Sequence, residues 1–211
     1  MELKIDEYMD IWKRCFEEQE KYIQEVRSIK HDMQAHLLVL QYCLEDEKYE
    51  EAKKYLQTMR SKDFGESVER DINVGNSLVN VIIKEYLAKS VDKICFFYKG
   101  ELPKKTIVAD YDLCTIFSNL ISNAVEACQN LRSTEKEIHM KISTDGENLR
   151  IVMRNPVEWI VEKDVLENGT TKEDKESHGY GLRNIKGVVE KYNGEVKYIC
   201  EDYLFSVEIV I

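Results

Sequence analysis

The stretch from Met1 to Phe64 contains no proline and no glycine, so nothing in it breaks a helix strongly. Nowhere does an apolar run approach the ~20 residues that span a bilayer, and no signal-peptide pattern opens the chain. A soluble protein is expected, and the cytoplasmic portion of a membrane-anchored receptor would read the same way. Positive charge is in short supply: 30 Lys and Arg stand against 40 Asp and Glu, a formal net charge of -10. That balance argues against non-specific nucleic-acid binding and against a polybasic membrane anchor, both of which need clustered cations. The six cysteines at 15, 43, 95, 114, 128 and 200 form no C-x-x-C pair. Most lie within apolar periodic segments, so buried reduced thiols are expected rather than a zinc or disulfide site. What remains is 211 residues with 43% hydrophobic and 33% charged content, enough for one large domain or two small ones.

The first segment carries a long heptad. Met9, Trp12, Phe16, Gln19, Ile23, Val26, Lys30, Met33, Leu37, Leu40 and Leu44 alternate at spacings of three and four, and only Gln19 and Lys30 interrupt the apolar seam. Such a seam is buried against another helix, as in a coiled coil or bundle. Glu45-Asp46-Glu47 offers a turn, after which Tyr49, Ala52, Tyr55, Leu56 and Met59 form one face of a second helix from about Lys48 to Arg60. Two helices cannot bury a two-sided apolar surface alone, so a dimeric four-helix bundle, and hence a homodimer, is the expectation. Ser61 to Asn76 reads as a junction, giving domains of 1–75 and 76–211.

Beyond the junction the period changes. Helical spacing covers Ser77 to Lys89, Tyr111 to about Leu131, and Leu182 to Tyr192; strand-like runs are predicted at Lys93–Tyr98, Thr106–Ala109, Ile138–Ile142, Leu149–Met153, Glu195–Cys200 and Leu204–Ile211. Antiparallel strands with helices on one face make a two-layer α+β sandwich.

Three clusters carry chemistry. On the helix after Asp110 a broad apolar stripe from Leu113 to Leu131 leaves Asp112, Asn119, Asn123, Glu126 and Asn130 within an arc of roughly 60° on the other side. Asn is a poorer helix former than Lys, Glu or Arg, so Asn119 and Asn123 need a reason; their amide oxygens suit a hard cation such as Mg²⁺, and an ordinary exposed polar face is the other reading. Ser177-His178-Gly179-Tyr180-Gly181-Leu182 stands just before a helix, where glycines allow close backbone approach and free amides favour polyphosphate; a tight turn into a helix is the plainer reading. The polar Gly169-Thr170-Thr171-Lys172 stretch ahead of it reads as a flap, with Lys172 able to meet a phosphate. Lys30-His31-Asp32 puts a histidine beside a carboxylate outside the seam, available as a nucleophile whose tautomer Asp32 fixes. An incidental surface histidine is the alternative. His36 lacks an adjacent acid, and His139 lies in a strand.

In this order the motifs resemble the GHKL ATPase superfamily, and within it the Agr-type sensor histidine kinases of quorum-sensing systems. Lys30-His31-Asp32-Met33-Gln34-Ala35-His36-Leu37 is similar to their phosphoacceptor box, Ser118 to Ala127 to their Asn box, and His178-Gly179-Tyr180-Gly181-Leu182 to the glycine box of the ATP lid. The resemblance runs from about Ile23 to Ile211. It implies a dimerisation and phosphotransfer hairpin followed by a Bergerat-type ATP-binding sandwich. It further implies that His31 accepts the γ-phosphoryl group of ATP with Asp32 activating it, and that Asn123 ligates Mg²⁺ with Asn119 in support. Gly179, Gly181 and Leu182 would shape the lid, and a response-regulator aspartate would receive the phosphoryl group. A transmembrane sensor region before residue 1 is a further family expectation.

Two positions depart from the pattern. Where relatives carry an Asp followed by glycines for adenine, this chain reads Met153-Arg154-Asn155-Pro156-Val157; Asn155 takes the adenine role, and a strand-ending Asn-Pro turn is its other reading. Four residues after His31 stands Ala35, where relatives usually have Asn, which predicts weak dephosphorylation of the partner. Two rival functions share the fold: a histidine phosphotransferase with a degenerate ATPase-like domain, and a signalling adaptor with an idle nucleotide site. Neither needs Asn123, Gly179 and Gly181 together.

Overall fold

The computed structural model describes residues 2–59, 72–90, 93–132, 136–146, 148–158 and 180–211, with side chains over the same residues apart from 2–15, 17, 18 and 180. The chain divides into two compact units, Met1–Phe64 and Gly65–Ile211.

The first unit is a helical hairpin of α1 (Glu2–Glu45) and α2 (Tyr49–Met59). Its turn is a left-handed helix stop: Glu47 has φ 56°, the Lys48 N–H donates to Cys43 O at 2.7 Å, and the Glu47 N–H to Leu44 O at 3.2 Å. That pair of bonds caps the orphan carbonyls of α1. Cys43 and Ala52 are buried between the two helices, and His36 Nδ1 meets the Tyr55 hydroxyl at 2.8 Å. Most of the heptad side chains that are described stay uncovered in the single chain, Leu40 being half-buried. Phe16, Ile23, Val26, Met33, Leu37 and Leu44 are all exposed, Met33 and Leu37 at 57% and 58%.

Among its described residues the second unit packs three helices, α3 (Ser77–Ala88), α4 (Asp110–Gln129) and α5 (Tyr180–Lys191), with a five-stranded sheet. The strands are β1 (Cys95–Lys99), β2 (Glu137–Asp145), β3 (Asn148–Pro156), β4 (Glu195–Glu201) and β5 (Leu204–Val210), in the order β1-β2-β3-β5-β4. Alternation sets the faces: Ile138, Met140 and Ile142 of β2, and Leu149, Ile151 and Met153 of β3, are buried while their neighbours are not. The broad stripe of α4, with Ile116, Phe117 and Ile121 fully buried, completes the core, joined by Ile83 of α3 and Ile185 of α5. Each such side chain contributes roughly 1.5–3 kcal/mol on burial.

Two expectations from the sequence change. β1 pairs with β2 in parallel, Phe97 opposite His139, so the sheet is mixed rather than antiparallel. Thr106–Ala109 is no strand: only Val108 is buried, Ile107 is exposed, and the Thr106 hydroxyl accepts the Val108 N–H at 3.2 Å, a local turn competing with any ladder. Elsewhere left-handed residues close the elements. Asn193 has φ 56° and closes α5 through Gly194 N–H to Val189 O at 3.0 Å, and Asp202 and Tyr203 both take positive φ in the two-residue β4–β5 loop. Among the described side chains Cys43 and Cys128 are buried, whereas Cys95 is exposed and Cys114 and Cys200 are half-buried; none of the five is in a disulfide. Burial pushes the Cys128 thiol up to about 11. No helix among the described residues is long and apolar enough to cross a membrane.

Candidate functional site

α3 and α4 start side by side. Asn76 caps α3, its Oδ1 accepting from the N–H groups of Leu78 and Val79, while its Nδ2 donates to Asp110 Oδ1 at 3.0 Å in the first turn of α4. α4 itself begins at Ala109 without a side-chain cap. Its third residue, Asp112, stands where a capping box would reach back to that backbone N–H. Here Tyr192 is interposed instead: the Ala109 N–H donates to the Tyr192 hydroxyl at 3.0 Å, and that hydroxyl donates to Asp112 Oδ2 at 2.5 Å. Lys191 Nζ donates to the same oxygen at 2.6 Å. The Lys191 ammonium first, and then the Tyr192 hydroxyl, hold the Asp112 carboxyl below its usual range.

Two to three turns along α4, the same arc carries Asn119 and Asn123. Asn119 Nδ2 donates back to Thr115 O at 2.7 Å, which turns its Oδ1 outward. Gly181, in the first turn of α5, sits directly against both amides: a Cβ there would lie 3.2 Å from Asn119 Oδ1 and 3.2 Å from Asn123 Oδ1. Only a glycine lets the helix start approach this closely without displacing them. The carbonyl of Leu182 is held by the Tyr198 hydroxyl at 3.1 Å, tying that first turn to β4; burial pushes Tyr198 up to about 12, which keeps it a donor.

The polar arc of α4 is therefore not a solvated face. Asp112 is 4% exposed, Asn119 and Asn123 are half-buried against Gly181 of α5, Glu126 is half-buried, and Asn130 is exposed at the helix end. At the end of β3, on the face that carries the core, Asn155 is 3% exposed. Its Nδ2 donates to Pro156 O at 3.1 Å, and its Oδ1 has no partner among the described residues. A buried amide oxygen left without a donor costs about 1–3 kcal/mol, which a ligand amino group would recover.

In the hairpin, His31 is 83% exposed and its Nδ1 lies 3.6 Å from Asp32 Oδ1, an ion-pair distance rather than a hydrogen bond. Nε2 faces away from that carboxylate. His36 differs, being half-buried and engaged by Tyr55. Lys172 and Gly179, with His178, lie outside the described residues. The structure thus brings Asn119, Asn123 and Gly181 together, puts Leu182 beside them in the same turn, and leaves His31 and Asp32 in the other unit. Sequence reasoning placed Asp112 on the arc without a role and passed over Lys191, Tyr192 and Tyr198, because an aspartate gains its partners from a helix about eighty residues away.

Chemically, two hard amide oxygens stand at the positive start of a helix, where anions are favoured. The described residues contain no cluster of three His, Cys, Asp or Glu able to hold a metal. A divalent cation here fits as Mg²⁺ usually binds, through one or two protein oxygens plus the phosphates of its ligand. Asn123 and Asn119 are the residues that would hold it.

Comparison with known proteins bears on the fold of this unit. Residues 109–211 match the family model described as the GHKL domain. A probable C4-dicarboxylate sensor kinase of Halalkalibacterium halodurans is 28% identical over 93 residues, 43% of this chain and 18% of that protein, so the match spans under a fifth of the relative's length. Among solved structures, a mycobacterial sensor histidine kinase, MprB, aligns with a TM-score of 0.51 at 14% identity, covering 64% of this chain and 92% of that one. The histidine kinase domain of the Erythrobacter litoralis EL346 blue-light activated kinase aligns with a TM-score of 0.52 at 14% identity, covering 70% and 64%. Over residues 109–211 the chain matches the GHKL domain, and its α+β sandwich with a mixed sheet has the fold of histidine-kinase catalytic domains.

Proposed function

We propose that this chain is the cytoplasmic catalytic portion of a dimeric sensor histidine kinase, of the Agr-type group, that phosphorylates His31 with ATP and Mg²⁺ and passes the phosphoryl group to a response-regulator aspartate. The observation that carries the reading is the meeting of Gly181 with Asn119 and Asn123, a phosphate-and-cation cradle assembled from two separate motifs. The buried Oδ1 of Asn155, which has no partner among the described residues, supports an adenine amino group as its donor. The exposed seam of α1 supports a second copy of the hairpin as its cover, completing a four-helix bundle.

In this reading Mg²⁺ neutralises charge on the phosphates, and the chain's residues do the rest by positioning. His31 keeps its proton on Nδ1, toward Asp32, and the Nε2 lone pair attacks the γ-phosphorus in line. An N–P bond forms as the P–O bond to ADP breaks, and Asp32 stabilises the positive imidazolium that results. Lys172 and Gly179, outside the described residues, would meet the phosphates in this reading.

The test is incubation with γ-labelled ATP and Mg²⁺ of the wild type, His31→Gln and Asn123→Ala. Acid-labile label in the wild type, absent from both variants, is expected. Nucleotide binding without label would point to an idle site, and absence of both would favour the phosphotransferase reading.

A further inference from the structure

α4 and α5 run antiparallel, and they meet at two places of the same spacing. Eleven residues separate Asp112 from Asn123 on α4, and eleven separate Gly181 from Tyr192 on α5 and its exit. Eleven residues are three helical turns, about 16 Å, and return to nearly the same face. Asp112 therefore stands opposite Tyr192 at one end, and Asn123 opposite Gly181 at the other. Between them Ile185 and Val189 of α5 are fully buried. Apolar contact is non-directional and leaves slide and roll of a helix weakly defined, whereas short bonds to a carboxylate are directional. At the Gly181 end the Tyr198 hydroxyl ties the Leu182 carbonyl to the sheet.

We infer that Asp112, Lys191 and Tyr192 form a positioning clamp that sets where the first turn of α5 stands against Asn119 and Asn123, and so sets the phosphate affinity of the site from three turns away. The geometry has three parts. Asp112 receives two donors on one oxygen, Tyr192 donates to it while accepting the Ala109 N–H, and α4 thereby gains the cap its own sequence lacks. Each bond joins the start of α4 to the end of α5, so together they fix the pair's register. The inference rests on the nucleotide reading for its consequence, though not for the positioning itself.

Two measurements on the full chain separate these. In the nucleotide-free protein, amide resonances of Gly181 and the side-chain amide of Asn123 are compared between wild type, Tyr192→Phe and Asp112→Asn; Tyr192→Phe keeps the ring and the Lys191–Asp112 pair and serves if Asp112→Asn folds poorly. Both resonances are expected to shift, and unchanged resonances in a folded Tyr192→Phe would overturn the clamp. Second, ADP and adenosine affinities are measured with Mg²⁺. ADP binding is expected to weaken about tenfold in Tyr192→Phe while adenosine stays within about twofold, and Lys191→Arg is expected to retain the wild-type ratio. Equal losses for both ligands would mean a merely structural role and would also overturn it. A wild type that binds neither ligand, with the resonance shifts present, would leave the clamp standing and sink the nucleotide reading.

Discussion

Asn123 and Gly181 face each other across the α4–α5 contact, so close that a methyl group on Gly181 would lie 3.2 Å from the asparagine's Oδ1 and 3.3 Å from its Nδ2. The nearest atoms belong to side-chain ends, which can give way by a few tenths of an ångström. Gly181→Ala is therefore expected to fold with little loss of stability, yet to weaken ADP-Mg²⁺ binding about tenfold by turning both amides aside. Titration calorimetry beside a thermal melt checks it; unchanged affinity would mean the amides are not ligands.

Gly187 gives the opposite outcome on the same helix. It is exposed in the middle of α5, and a Cβ there would meet nothing within 4 Å. Gly187→Ala is expected to stabilise the protein by about 0.5–1 kcal/mol through helix propensity alone. In urea the midpoint should rise with an unchanged slope.

Acid should loosen the Asp112 contacts. The folded carboxyl titrates below its usual range, so its contribution is fully present above about pH 4, the unfolded value, and is lost as pH falls through the lowered folded value. Wild type should therefore lose more stability below pH 4 than Asp112→Asn, whose neutral amide does not titrate. Denaturant midpoints at pH 7 and in the acid range measure this, and parallel pH profiles would contradict it.

The exposed seam of α1 calls for a cover. Leu37→Asp puts a charge where two copies of the hairpin would pack, and is expected to weaken dimerisation at least tenfold while leaving the ATP-site unit folded. Sedimentation of both proteins decides it; a wild type that stays monomeric at all concentrations would remove the bundle from the proposal.

Much of this architecture was legible before any coordinates. Heptad spacing along α1, alternation in β2 and β3, and the Asn193-Gly194 stop are local patterns, each set by residues within a few positions of one another. Asn119, Asn123 and Gly181 were named from motif and helix periodicity, and all three fall in one place. What periodicity could not carry is pairing over distance. Alternation reads the same for parallel and antiparallel neighbours, so the direction of β1 against β2 waited for the fold. A polar arc on a helix looks solvated until another helix is known to cover it, which is why Asp112 reads as surface and turns out buried. The cap of α4 comes from Tyr192, 83 residues beyond the Ala109 N–H it satisfies. Local chemistry determined which segments are helix or strand and which residues could bind; tertiary packing alone decided which of them meet, because hydrogen-bond partners and burial depend on neighbours in space.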